Sequence, residues 1–445
     1  MNDDKADRSG FFGHPKGLST LFFTEMWERF SYYGMRAFLI LYMIAPVEKG
    51  GLGWDKGPAG KLYGTYTGSV WLATIGGGLI ADWWLGQYRS VLVGGILITL
   101  GHFTLAFHAL PAFYAGLALI VIGTGLLKPN VSTLVGSLYE QNDARRDAGF
   151  SIFYMGINLG ATIGPLIAGY LAQKVDWHIG FACAGVGMTA GLIQYVLGRR
   201  RLQIAIDRLG AQSKKPAAAN PGKTESAFSG FTTAEYKRLM AVVVFFLFAT
   251  IFWGAYEQAG STLNIFADQY TRLSVFGFSF PSSWFQSVPS LFVILLAPAF
   301  AWLWVRLGPR EPSSPAKFAI GLFFVGLSFL LLVPASSIAQ GQGIRVSPMW
   351  LIMVYLLQEF GELCLGPVGL SLVTKLAPQR VVGLMMGVWF LSLAAGDKIA
   401  GQVTQLMDVY PLTQLFGGVG LVAIAVGVVL VFLIKPIKNL MGGVH

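Results

Sequence analysis

Charge is scarce in this sequence. Only 12% of its 445 residues are Asp, Glu, Lys or Arg, about half the share of an ordinary soluble domain. A soluble chain of this length would also divide into separately cored domains with charged surfaces. Cysteine is rarer still. Cys183 and Cys364 both fall in apolar stretches, so they read as small buried hydrophobes and exclude a disulfide framework. The five histidines are scattered, with no ligand spacing. No metal site, no cofactor and no catalytic residues are expected. No cleavable leader is expected. Residues 1–17 are polar and charged, and no small-residue cleavage motif follows a short apolar core. The first helix is therefore expected to be retained.

What is abundant is apolar length. The chain is 54% hydrophobic, with a mean hydropathy of +0.60. A bilayer core needs about 20 apolar residues per helix. Twelve segments of that kind are predicted, near 18–46, 58–84, 89–108, 112–138, 149–173, 179–198, 239–267, 284–306, 316–334, 349–375, 383–406 and 412–435. The expected class is an all-α membrane protein with twelve transmembrane helices in two six-helix bundles. Its organisation reads as a tail at 1–17, a bundle at 18–198, a polar linker at 199–238, a bundle at 239–435 and a tail at 436–445. The linker starts as "GRRRLQIAIDRLG", a candidate surface helix, and continues as a Pro/Ala/Gly/Lys stretch.

Placing both termini in the cytoplasm puts most Lys and Arg on that side. Only Lys49, Lys56, Lys61, Lys174, Arg272 and Arg345 fall on the other. The net charge of +10 is thus a topology signal and implies no nucleic acid. The lipid bilayer is the expected surrounding.

The informative residues are charges at bilayer depth, which cost a few kcal/mol each unless they pair or face a cavity. "FFTEMWERFSYYGMR" holds Glu25, Glu28, Arg29, Tyr32, Tyr33 and Arg36. At about 100° per residue these share one helix face. A purely structural ion-pair cluster would account for the pairing. It would not account for Lys128, Glu257, Glu359, Glu362, Asp397 and Lys398 on other segments. Lys128 precedes Pro129, and Glu362 lies near the Gly366–Pro367 step, so both segments are expected to loosen there. Interrupted helices near the membrane midplane mark transporter sites, although packing kinks alone would look alike. Arg29, Arg36 and Lys128 make the first half basic, while Glu257 and Glu362 make the second acidic. A zwitterion would fit between such halves. Tyr32, Tyr33, Tyr66, Asn158 and Gln286 offer neutral hydrogen bonds. Trp253, Trp284 and Trp389 offer apolar walls, or interfacial anchors.

The two halves echo each other, as "LLKPNVSTLV" does with "CLGPVGLSLV". Two parallel six-helix repeats are the architecture of the major facilitator superfamily. Within it, "EMWERFSYYG", "GTGLLKPNVS", "RRDAGFSIFYMGINLGA", "IFWGAYEQAGSTLNIFAD", "SWFQS" and "GELCLGPVGLS" resemble, in order, the motifs of the proton-dependent oligopeptide transporter family. The resemblance runs nearly end to end. It implies proton-driven uptake of di- and tripeptides across a bacterial inner membrane by alternating access, with a single chain sufficing. It implies that Glu25, Glu28 and Arg29 couple protons to recognition of the substrate carboxylate, with Lys128 as partner. It implies Asn158 and Glu362 near the peptide amine, and an Arg36–Glu257 pair closing the outer side. Three departures bear on selectivity. Residues 199–238 are too polar to hold two extra helices. Pro289 stands where an amine-contacting asparagine often sits. Glu359, Asp397 and Lys398 are additional charges. The alternative is the same fold carrying another small zwitterionic or anionic solute, such as a peptide-like drug or nitrate. A membrane enzyme would want a nucleophile–base pair or a metal cluster, and no segment holds one.

Overall fold

The computed structural model describes residues 9–140, 143–213, 231–378 and 381–443. Part of the expected N-terminal tail (1–8), part of the expected linker (214–230) and the last two residues of the C-terminal tail lie outside them. In chain order the helices are α1 (Lys16–Ile44), α2 (Lys56–Ile80), α3 (Gln87–Leu105), α4 (Leu110–Ser137), α5 (Arg146–Lys174), α6 (Trp177–Leu197) and the short α7 (Gln203–Ser213). There follow α8 (Thr233–Tyr256), the short α9 (Thr262–Tyr270), α10 (Val288–Leu307), α11 (Ser314–Gln342), α12 (Met349–Leu376), α13 (Val382–Gln405) and α14 (Leu412–Met441). Between α9 and α10, β1 (Ser274–Val275) and β2 (Phe278–Ser279) form a hairpin.

Among the described residues, ten stretches are long and apolar enough, by length and composition, to cross a membrane. They contain every long helix except α1 and α2. The reason is local: α1 carries the charged face, and α2 is rich in glycine and hydroxyl side chains. The twelve expected segments thus correspond to twelve long helices, two of them too polar to stand out by hydropathy.

Side-chain caps start α6 and α8. Asp176 caps α6 by accepting from the backbone N–H of His178 at 2.8 Å. Thr232 and Glu235 form a reciprocal capping box at the start of α8. Two expectations about interruptions change. Pro129 and Pro367 lie inside continuous helices, α4 and α12, because each proline removes only one ladder bond that neighbouring turns tolerate. The break falls instead in the seventh segment. There α8 gives way to a 3-10 turn at Glu257–Gly260, and α9 starts after Ser261.

The chain gathers into two units. One holds residues 1–39 and 69–221, the other residues 40–68 and 222–445. The boundary passes through α1 and α2. In the first unit, α3 packs along α4 and α6, around Leu18, Leu21, Ile98, Leu127, Leu134 and Tyr195. Gly160 sets the approach of α5 to α1: a Cβ there would lie 2.1 Å from the Met26 carbonyl oxygen and 3.0 Å from Arg29 Cβ. In the second unit, α11 packs on α12 and α14, and α8 on α13, over fully buried Phe252, Phe318, Phe329 and Phe416. The start of α2 belongs to this unit and lies on α13 through Gly64.

Candidate functional site

In the first unit the site is built on α1. Glu25 and Glu28 precede Arg29 by four and one residues, so one guanidinium reaches both. Its Nε lies 3.3 Å from Glu25 Oε1. The same Nε donates to Glu28 Oε2, and a second donor reaches Glu28 Oε1 at 2.6 Å. All three side chains are essentially inaccessible, at 1%, 0% and 2% exposure. A buried arginine shared between two carboxylates keeps its charge because its fork matches their geometry. The guanidinium also lies 5.2 Å and 5.8 Å from the ring centroids of Tyr32 and Tyr33, while that of Arg36 lies 5.8 Å from Tyr33. The whole charged face is therefore one contiguous strip.

Lys128, on α4, sits 3.7 Å over the ring of Trp71 and acts electrostatically on Glu25. Trp71 gave no signal in sequence; a tryptophan in an apolar segment reads as packing. Asn158, on α5, is buried and donates to the Tyr154 carbonyl oxygen at 3.0 Å, a bond along its own helix.

In the second unit, Trp253, Tyr256 and Glu257 close the end of α8. Trp253 packs edge-on against Tyr256, with centroids 5.5 Å apart. Across from them on α12, a Cβ at Gly366 would lie 3.5 Å from Glu362 Oε1 and 3.9 Å from Trp253. Glycine at the Gly366–Pro367 step thus leaves room between an acid and an indole. Glu359 is fully buried and accepts from the Tyr256 hydroxyl at 2.7 Å. Tyr256 was not singled out in the sequence, although it precedes Glu257 in "GAYEQAG". Gln286 donates to the Ala259 carbonyl oxygen at 2.7 Å, which ties it to the broken turn. Tyr66 is buried in this unit. Trp284 stacks on Phe280 at 6.2 Å. Trp389 is buried against Phe318 and fills the space over Gly369, so it packs α13 onto α11 and α12.

The additional charges have separate settings. Pro289 lies in the first turn of α10, where a missing N–H costs nothing. Asp397 is buried, whereas its neighbour Lys398 is exposed and donates to Thr65 Oγ1 at 3.1 Å. Arg36 belongs to the first unit and Glu257 to the second.

Long apolar helices with a buried Glu–Glu–Arg strip in one unit and buried acids in the other define a polytopic membrane transporter. The profile of the POT family matches residues 88–206 and 221–424, and this chain belongs to that family, whose members are transporters and not enzymes. It is 45% identical to an uncharacterised transporter, YclF, of Bacillus subtilis (strain 168), covering 98% of this chain and 97% of that protein. It is 38% identical to a di-/tripeptide transporter of Lactococcus lactis subsp. cremoris, covering 100% of each. Among solved structures, it resembles a peptide transporter POT in complex with sulfate, with a TM-score of 0.89, 42% identity and 98% of each chain covered. It also resembles a POT family transporter in complex with 5-aminolevulinic acid, with a TM-score of 0.87, 34% identity, and 97% and 99% covered.

Proposed function

We propose that this protein imports di- and tripeptides with protons across the inner membrane of a bacterium, as a single chain with both termini in the cytoplasm. The observation that carries the reading is the Glu25–Glu28–Arg29 cluster with Lys128 in electrostatic reach. Two carboxylates and two cations sum to zero. Adding a proton to one carboxylate leaves the cluster with a net positive charge in a dry setting, where an unbalanced charge is costly. A peptide carboxylate restores the balance. Proton and substrate therefore stabilise each other's binding, which is the requirement for symport.

Glu362, beside Trp253, receives the peptide amine, with Asn158 contributing from the first unit. Tyr32, Tyr33, Tyr66 and Gln286 supply neutral hydrogen bonds to the peptide. Arg36 and Glu257 pair to close the outer side, and protonation of Glu257 opens it. Two six-helix bundles rocking about a midplane site give alternating access. A membrane potential adds about 2.3 kcal/mol per elementary charge per 100 mV. The named relatives and the zwitterionic ligand of a related structure support this substrate class.

The test is uptake of labelled dialanine into proteoliposomes under an inward proton gradient and a negative-inside potential. Accumulation should collapse with an ionophore and fail in Lys128→Ala. Glu257→Gln should keep counterflow exchange and lose gradient-driven accumulation. Uptake of a different zwitterion in place of dialanine would keep the coupling and replace the substrate. No proton-dependent uptake by folded protein would end the reading.

A further inference from the structure

The histidines, scattered in sequence, are not all scattered in space. His108 lies in the connection between α3 and α4, and His178 in the first turn of α6. Their rings stack with centroids 3.5 Å apart and planes 28° apart. Asp176, the cap of α6, places Oδ1 3.4 Å from His178 Nδ1. One donor atom from each of the three residues lies within 4.8 Å of the other two. We propose that His108, Asp176 and His178 bind a divalent cation of the zinc class, independently of the transport site.

The donor set decides the class. Two imidazoles and a carboxylate suit zinc and its neighbours, while calcium and magnesium take oxygen ligands. Three protein ligands plus water complete a tetrahedron. Bonds of about 2.0–2.2 Å bring tetrahedral donors to roughly 3.3–3.6 Å of one another, so the cluster must close by about 1 Å. Two of the donors are already held. His178 is buried and packs edge-on against Phe181, with centroids 6.4 Å apart. Asp176 Oδ1 accepts from the backbone N–H groups of His178 and Ile179, the kind of outer hydrogen bonding that aims a ligand. His108 is exposed on a short connection and supplies the movement. The Asp176 carboxylate also offsets the positive end of α6, which would otherwise repel a cation.

The site braces one end of the first unit. Trp177 and Phe181, flanking His178, pack on Phe38 of α1 at 6.2 Å and 4.9 Å. A bound ion would tie the α3–α4 connection to the start of α6, against the helix that carries Arg29.

Tag-free, chelator-treated protein in detergent should bind one equivalent of ZnCl2 by titration calorimetry and melt at a higher temperature when zinc is present. His108→Ala removes an exposed ligand. Asp176→Asn removes the carboxylate and keeps a good helix cap. Each should weaken zinc binding at least tenfold and abolish the thermal shift, with zinc-free melting near that of the wild type. Zinc binding unchanged in both variants, or no stoichiometric binding by the wild type, would overturn the proposal. Neither readout involves transport, so its failure and that of the peptide reading are separate results.

Discussion

The Tyr256 hydroxyl donates to Glu359 Oε1 at 2.7 Å, joining the end of α8 to the middle of α12 inside the second unit. Glu359 is fully buried, so this donor is part of what makes an acid tolerable there. Tyr256→Phe removes the hydroxyl and leaves the ring stacking on Phe252 in place. Losing the partner of a buried acceptor costs about 1–3 kcal/mol. The variant should melt several degrees lower. Glu359→Gln in the same background should recover part of the loss, giving a coupling of about 1–2 kcal/mol in a double-mutant cycle. Strict additivity would show that the bond contributes nothing.

Arg29 serves two carboxylates at once, and that geometry separates arginine from lysine. Arg29→Lys keeps the charge but presents one point donor in place of a fork. The protein should fold, and gradient-driven peptide uptake should fall at least about tenfold, equivalent to 1.4 kcal/mol. Arg29→Ala should be worse in a different way. It leaves Glu25 and Glu28 buried together, a loss of about 3–5 kcal/mol, so it should lower the yield of folded protein. Normal uptake by Arg29→Lys would remove the fork from the mechanism.

These two cases show which parts of the molecule were legible in sequence. Segment lengths and the charged face of α1 were, because hydropathy and a 100° repeat are properties of consecutive residues. The Arg29–Glu25 contact belongs to that class, being four residues apart on one helix. Contacts between distant segments were not. Nothing in "SVWLAT" announces that Trp71 lies under Lys128. Nothing about Trp389 announces that Gly369 was left small to receive it. His108 and His178 are separated by two helices, so no spacing rule reaches them. The position of the helix break was also hidden, since proline marks a missing donor and α4 and α12 absorb theirs, while α8 stops at an acid.

A pH dependence follows from the segment preceding α1. His14 is buried and shares a 2.9 Å hydrogen bond with the Tyr139 hydroxyl. Arg145 donates to the Gly13 carbonyl oxygen at 2.9 Å and to Asp143 Oδ2 at 2.7 Å. Burial lowers the His14 pKa from its ordinary 6.5. Nearby Arg145 lowers it further, against a smaller upward pull from Asp143. Burial likewise pushes Tyr139 up to about 12, so it stays a neutral donor or acceptor throughout. The unfolded chain then takes up a proton at a pH where folded His14 does not, and stability falls as pH drops below about 6.5. Melting temperature should decline between pH 7.5 and 5.5. His14→Gln should flatten that part of the profile, and an unchanged slope would assign it to other groups.

Glycine spacing in α2 yields a comparison with an internal control. A Cβ at Gly64 would lie 2.4 Å from the Asp397 carbonyl oxygen and 2.9 Å from Gly401 Cα. Both are backbone atoms of α13, so relief requires moving a helix and not turning a side chain. At Gly76, in the same helix, a Cβ would meet nothing within 4 Å. Alanine is the better helix former by about 1 kcal/mol. Where space is open, that preference should show, and Gly76→Ala should melt at or above the wild type. Overpacking typically costs about 1–3 kcal/mol, which exceeds the propensity gain, so Gly64→Ala should melt below it. Thermal shift measurements on the two variants in one detergent decide the matter. If both rise, α2 and α13 are able to separate without cost, and the close approach at Gly64 is not holding the second unit together.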